Sequence, residues 1–259
     1  MTRIAAISDI HGNLPALEAV HKAVNAARPD YVAICGDLLM NGPDPVGTLA
    51  LVQEMERAGA FVILGNTDLA VAEGDYTAAF PWFSDGAPDS YLRAAEWARD
   101  QIGDDGVSYL RHLPWERRLR VGDDGASGGD GSPYGDLVLF CHASPGSLTD
   151  GLGTDLDPVV TIERVSGTDA KVIVCGHTHV PEVREVGWRT IVNAGSAGFV
   201  FDGDPTASWA LIDVGEEGIK AEIQRTSYDV MAAANAVSAR GLPGDVYRAA
   251  TIRTGKLVR

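Results

Sequence analysis

The chain has 259 residues, 45% hydrophobic and 22% charged, which describes a soluble globular protein long enough for one sizeable core. Its 36 acidic and 21 basic residues leave a net charge of −15, which excludes binding a nucleic acid polymer through a broad basic face. No apolar run approaches the roughly 20 residues of a membrane span, and 3 cysteines without metal-finger spacing exclude a disulfide framework and point to a reducing cytoplasm. A cleaved leader of roughly 15–30 residues would remove Asp9 and His11, so the start is expected to be mature.

Residues 3–8 read as a buried strand that runs into a turn at Gly12. A helix is predicted from Asn13, a good N-cap, with Pro15 in its first turn where a missing N–H costs nothing. Leu14, Leu17, Val20 and Val24 form its apolar stripe. Residues 31–35 are the second strand, 45–58 a helix ended by Gly59, and 61–64 the third strand. This alternation implies parallel pairing through right-handed crossovers. Ligands of such sheets gather at the carboxyl ends of the strands.

Residues 69–112 break the rhythm, with Tyr76, Phe80, Trp82, Phe83, Tyr91 and Trp97 concentrated there and helical patterning strongest over 90–102. We read a helical cap inserted into a single domain spanning 1–259, its aromatics packing the cap onto the body. Strands at 119–121 and 137–141 flank residues 122–136, where 6 glycines and 4 aspartates predict a mobile hairpin loop without calcium-loop spacing. Arg117, Arg118 and Arg120 read as a solvated strand end. A helix at 159–165 precedes strands at 172–175, 183–186, 189–193, 209–214 and 219–224. A closing helix at 228–239 and a tail over the last twenty residues complete the chain.

The chemistry is concentrated in Ser8-Asp9-Ile10-His11-Gly12-Asn13, Gly36-Asp37, Gly65-Asn66-Thr67-Asp68, Cys141-His142-Ala143 and Gly176-His177-Thr178-His179. Each lies just past a short apolar run, with Cys35, Cys141 and Cys175 as small buried hydrophobes at the strand ends. On an extended segment residues two apart point the same way. Asp9 and His11 can thus reach one ion together, as can His177 and His179 if the chain is extended there. Four of the 6 histidines fall in these segments. With Asp9, Asp37 and Asn66, they have the number and kind of donors that hold two divalent metal ions. Two such ions bring four positive charges, Asp9 and Asp37 return two negative ones, and the net +2 attracts phosphate to an acidic protein. The sulfur-free set argues against a closed structural zinc site. Hydrolysis of a phosphate ester follows more naturally than redox chemistry.

These segments together resemble the calcineurin-like metallophosphoesterases, nearly end to end. Gly42-Pro43-Asp44-Pro45, Asn193-Ala194-Gly195-Ser196 and Asp202-Gly203-Asp204-Pro205 look like the small bacterial branch of phosphodiesterases and diadenosine-tetraphosphatase-like proteins. The resemblance implies an α/β fold, a four-layered αββα sandwich of two mixed sheets flanked by helices. It implies one metal on Asp9, His11 and His179, another on Asn66, His142 and His177, and Asp37 bridging them. Manganese, iron or zinc would occupy the site, and a bridging hydroxide would attack phosphorus in line with the leaving alcohol. Asn66, Asp68 and His142 would belong to the catalytic set.

Two positions depart from the family pattern. Thr67 stands where many members carry a His that protonates the leaving group, and a hydroxyl cannot supply that proton at neutral pH. Asp68 is then read as orienting Asn66 or its loop, and His112 or a cap residue as a substitute acid near the substrate. Asn41 stands where related branches carry an Arg that clamps phosphate; it can donate a hydrogen bond but has neither charge nor fork. A dianionic monoester loses more from that change than a diester does. The leading expectation is a phosphodiesterase acting on a small phosphodiester or nucleotide-like ester. Its rivals are a phosphomonoesterase, protein phosphatase or dinucleoside polyphosphate hydrolase, and a non-catalytic metal-binding module. No membrane partner is expected, and homo-oligomerisation through the acidic surface or cap aromatics stays open.

Overall fold

A computed structural model describes residues 1–121 and 136–259. Ten strands and eight helices are present among the described residues: β1 (Thr2–Ile7), α1 (Leu14–Ala27), β2 (Tyr31–Cys35), α2 (Pro45–Arg57), β3 (Phe61–Ile63), α3 (Asn66–Glu73), α4 (Tyr76–Ala79), α5 (Asp89–His112), β4 (Glu116–Val121), β5 (Asp136–Cys141), α6 (Pro158–Val165), β6 (Val172–Cys175), β7 (Glu182–Val186), β8 (Arg189–Asn193), β9 (Ala207–Gly215), β10 (Gly218–Thr226), α7 (Val230–Arg240) and α8 (Asp245–Thr254). They build two five-stranded mixed sheets, in the orders β10-β9-β1-β2-β3 and β4-β5-β6-β8-β7. In the first, β1, β2 and β3 are parallel, while β9 and β10 add antiparallel. In the second, β5, β6 and β8 are parallel, with β4 and β7 antiparallel at the edges. No helix among the described residues is long and apolar enough to cross a membrane.

The strand side chains alternate between two apolar layers, as the pleat requires. Ile4, Ala6, Ala33, Cys35 and Ile63 face Val138, Phe140, Val172, Val174 and Val192 in a core between the sheets. On the outer side of the first sheet, Ala5, Ile7, Ile34 and Val62 pack against Leu17, Val20 and Val24 of α1 and Val52 of α2. On the outer side of the second, Leu139, Cys141, Ile173 and Ile191 pack with Val165 of α6. The layers therefore run helix, sheet, sheet, helix, as expected of the αββα class.

Asn13 caps α1 by accepting from the Ala16 N–H at 3.4 Å, and Asp44 caps α2 by accepting from Gly47 at 2.7 Å. Residues 66–112 are helical at α3, α4 and α5, and Phe80, Ala94, Ala95, Ala98 and Leu110 merge into the same core as α1 and α2. Phe80 and Phe83 each meet Tyr91 edge-to-face at 5.1 Å, the packing role read for these aromatics. The loop expected at 122–136 lies outside the described residues but for Asp136, which pairs opposite Val121 as the two strands close antiparallel.

One expectation fails: the last twenty residues are not a tail but carry α8, which packs on α7. Its start is set by Gly244 in the left-handed region at φ 85° and Asp245 in the first turn, and Gly255 at φ 62° ends it. The helix escapes sequence patterning because its buried face is mixed, with Asp245, Arg248 and Thr251 beside Ala249 and Ile252.

Candidate metal centre

The loops after β1, β2, β3, β5 and β6 converge at the carboxyl edges of the two sheets. Backbone bonds join the first two: Asp9 N–H to Gly36 at 3.1 Å, His11 N–H to Asp37 at 2.9 Å and Gly12 N–H to Leu38 at 2.7 Å. Approach is close enough that glycine is required. A Cβ on Gly65 would lie 2.1 Å from Asp37 Oδ1, and one on Gly176 would lie 2.2 Å from Asp9 Oδ2. The Asn193–Ser196 segment locks the assembly: Asn193 Nδ2 donates to the Gly176 carbonyl at 2.9 Å, and Ser196 Oγ to the Asp9 carbonyl at 2.7 Å.

Asp9, His11, Asp37, Asn41, His177 and His179 all have positive φ, between 54° and 90°. Such conformations cost of order 1–3 kcal/mol each and persist where the surroundings impose them. They also correct the extended-segment expectation. His177 and His179, at φ 67° and 59°, send their rings to different neighbours. His179 Nε2 lies 3.1 Å from Asp9 Oδ1 and 3.2 Å from His11 Nε2. His177 Nδ1 lies 3.0 Å from Asn66 Oδ1 and 3.3 Å from His142 Nε2. Asp37 sits between the groups, its Oδ2 3.5 Å from His11 Nε2 and its Oδ1 3.4 Å from His142 Nε2.

The donor set fits cations. Backbone carbonyls hold the outer nitrogen of three rings: His11 Nδ1 on Met40 at 2.8 Å, His142 Nδ1 on Cys35 at 2.8 Å, and His179 Nδ1 on Phe199. A ring that donates at Nδ1 presents a lone pair at Nε2, so His11 and His179 turn two lone pairs on one another. Asn66 Nδ2 donates to the Ala79 carbonyl at 3.0 Å, which aims Oδ1 at His142, also 3.0 Å away. Asp9 Oδ2 accepts from the His177 N–H at 2.8 Å, while the buried Oδ1 has no hydrogen-bond partner among the described residues. Converging acceptors with an orphaned carboxylate oxygen are what a positive ion resolves. Asp9, His11, Asp37 and His179 each place a ligand atom within 4.8 Å of the others.

Electrostatics agree. Burial, partly offset by Asp37, lowers His11 to about 4, and burial with His142 lowers His177 to about 4, leaving both neutral and able to ligate at pH 7. Burial opposes the charge on Asp9, but His179 beside it outweighs that and holds its carboxyl well below the usual range. Burial likewise lowers His142, yet Asp37 and Asp9 overcome it and the net shift is upward. The buried thiols of Cys35, Cys141 and Cys175 are pushed up by burial and are free.

Asp68 accepts from the Leu38 N–H at 2.8 Å and the Gly65 N–H at 3.0 Å, clamping two of the loops together. Burial, then Asp37, pushes its carboxyl up to about 7. In Asp68→Asn the amide turns an N–H toward one of these donors, and stability is expected to fall by about 2 kcal/mol. A lower urea midpoint at unchanged slope checks it. Thr67 donates its N–H to Asp37 Oδ1 at 2.9 Å, and its buried hydroxyl has no partner among the described residues. His112 is exposed at the end of α5, its Nδ1 2.6 Å from the Ser108 carbonyl, and does not join the cluster. Asn41 lies at the cluster's outer edge, with Nδ2 3.4 Å from His11 Nδ1. Sequence patterning missed the orienting carbonyls, which any residue type supplies, and Arg240 and Arg248, which reach Asn41 from α7 and α8.

The calcineurin-like phosphoesterase superfamily domain matches residues 2–217. A metallophosphoesterase of Sphaerobacter thermophilus is 26% identical, with TM-score 0.70 over 98% of this chain and 99% of that one. A hypothetical protein of Pyrococcus horikoshii has the same fold, with TM-score 0.81 at 20% identity over 98% of this chain and 99% of that one. An uncharacterized protein of Methanocaldococcus jannaschii is 25% identical over 93% of each chain.

Proposed function

The chain belongs to the calcineurin-like phosphoesterase superfamily, and from that premise we propose a phosphodiesterase with two divalent ions that hydrolyses a small phosphodiester or nucleotide-like ester. The observation that carries the two-ion reading is the division of the donors. Asp9, His11 and His179 gather on one side, Asn66, His142 and His177 on the other, and one oxygen of Asp37 is turned toward each group. Manganese, iron or zinc suits nitrogen and carboxylate donors. When bound, such ions polarise phosphoryl oxygens and lower the pKa of water. Three buried free thiols support a reducing, cytoplasmic setting.

The protein's own groups set the rest. Asp37 holds the two halves in register, and its Oδ1 is fixed by the Thr67 N–H. Asn66 keeps its carbonyl oxygen on His142 and His177 because its amide nitrogen donates to the Ala79 carbonyl. Trp82, half exposed with its ring 6.2 Å from that of His177, offers a face on which an aryl or base leaving group can stack. Thr67 has no proton for the leaving group, which favours esters whose alcohol departs as a stable anion.

A second reading has its own support. Arg248 brings a guanidinium to Asn41, 2.9 Å from its Oδ1, so positive charge is not missing from the corner where related branches carry their Arg. That favours a monoester or polyphosphate. The diester reading keeps precedence because Arg248 is already engaged by Asn41, Pro243, Asp245 and Ser90 and presents no free fork. Mn²⁺-loaded protein is expected to hydrolyse bis(p-nitrophenyl) phosphate with at least about tenfold higher kcat/KM than p-nitrophenyl phosphate, from the loss of the fork. It should turn over aryl esters faster than alkyl ones. A monoester preference would reverse the order of the two readings.

A further inference from the structure

The family match covers residues 2–217, and α7 and α8 beyond that match reach the Asn41–Gly42 loop next to the metal centre. Arg240 and Arg248 share the buried carboxylate of Asp245, with contacts of 2.6 and 3.3 Å. Arg240 donates to the Gly42 carbonyl at 2.6 Å and to the Asn41 carbonyl at 3.0 Å, holding that loop's backbone. Arg248 Nε donates to Asn41 Oδ1 at 2.9 Å. Its Nη1 donates to Pro243 at 2.8 Å and its Nη2 to the Ser90 carbonyl of α5.

This arrangement determines which way the Asn41 amide faces. A guanidinium only donates, so the atom opposite Arg248 Nε must be Oδ1, and the NH₂ is turned toward His11. The His11 nitrogen it meets, the outer Nδ1, already gives its hydrogen to the Met40 carbonyl, so the Asn41 amide hydrogens have no acceptor there and stay available at the outer edge of the His11 ring. Freed from Arg248, the amide could present its oxygen instead, which repels a phosphoryl oxygen.

We propose that Arg248 is a positioning residue for phosphate recognition: anchored by Asp245, Pro243 and Ser90, it fixes the Asn41 amide with its NH₂ directed at a phosphoryl oxygen of the substrate. The inference rests on the reading that this site binds phosphate. It makes the C-terminal helix pair part of the active site, where Asn41 and Arg248 divide between them the task of a single arginine.

Binding of inorganic phosphate to the Mn²⁺-loaded full chain, measured by calorimetry, tests it in wild type, Asn41→Ala, Arg248→Met, Arg248→Lys and the Asn41→Ala/Arg248→Met double variant. Each of Asn41→Ala and Arg248→Met should weaken phosphate about tenfold and raise KM with kcat nearly unchanged. The double variant should bind no worse than Asn41→Ala alone. Lysine keeps the charge without the fork, so Arg248→Lys should resemble Arg248→Met. Rescue by lysine, or additive losses in the double variant, would mean that Arg248 acts only through its charge and would overturn the proposal. In metal-free protein, the nitrogen-15 resonance of the Asn41 side chain should shift in Arg248→Met; an unmoved resonance counts against it. If Arg248→Met does not fold, Asn41→Ala that still binds phosphate like wild type overturns it. Wild type that neither binds phosphate nor hydrolyses esters defeats the underlying reading, a result distinct from all of these.

Discussion

Replacing Asp37 by Ala is expected to lower kcat on an aryl phosphodiester by on the order of 10³-fold, because bound ions contribute several kcal/mol to the barrier and each ~1.36 kcal/mol is tenfold. Asp37 turns one oxygen to the ring of each donor group, 3.5 Å from His11 Nε2 and 3.4 Å from His142 Nε2. Alanine also leaves the Thr67 N–H without its acceptor, which costs about 1–3 kcal/mol. A domain with roughly 5–15 kcal/mol of stability tolerates that loss, so the variant should be folded and inactive. Steady-state kinetics on Mn²⁺-loaded protein, with circular dichroism as the control for folding, read the result. Turnover within tenfold of wild type would remove Asp37 from the centre of the site.

Phe140→Ala should produce the largest loss of stability, about 3–5 kcal/mol. Phe140 lies on β5 with no exposed surface, in the core between the two sheets, with its ring 6.0 Å from that of Phe61. Neither sheet can close the resulting space without moving the other. Because β5 leads directly into His142, the void also loosens the strand that aims that ring. The loss should appear as a lower urea midpoint, together with weaker metal retention. A change below about 1 kcal/mol would mean that the sheets do not meet through this residue.

The parts legible in the sequence were those where one residue type does one job. Asn13 before Leu14 caps α1, the apolar runs 31–35 and 172–175 are β2 and β6, and the glycines preceding Asp37, Asn66 and His177 mark close backbone approaches. The αββα layering followed from the family resemblance, and the gathering of Asp9, Asp37, Asn66 and the four histidines from strand–turn punctuation together with that resemblance. Three features were hidden. Positive φ at His177 and His179 is imposed by the loops around them, so local patterning suggested an extended pair where the rings diverge. The carbonyls of Met40, Cys35 and Phe199 that orient histidines leave no trace in residue type. Helix α8 buries an Asp–Arg network rather than an apolar stripe, so its periodicity was silent, and with it the link from Arg248 to Asn41.

That link changes how the two departures from the family pattern weigh. Asn41 alone argued for an uncharged phosphate corner, but with Arg248 behind it the corner is polarised although the guanidinium itself is occupied. Thr67 is unaltered by its surroundings: a buried hydroxyl without a partner among the described residues remains a poor acid. Under the proposed phosphodiesterase reading, leaving-group chemistry would govern the rate and phosphate charge the binding.

The count of tightly held metal per chain tests the two-ion site most directly. After reconstitution with Mn²⁺ and dialysis against metal-free buffer, wild type should retain about two ions per chain, while His179→Ala and His142→Ala should each retain about one. One ion in wild type, or an identical count in all three proteins, would contradict a site divided between those histidines.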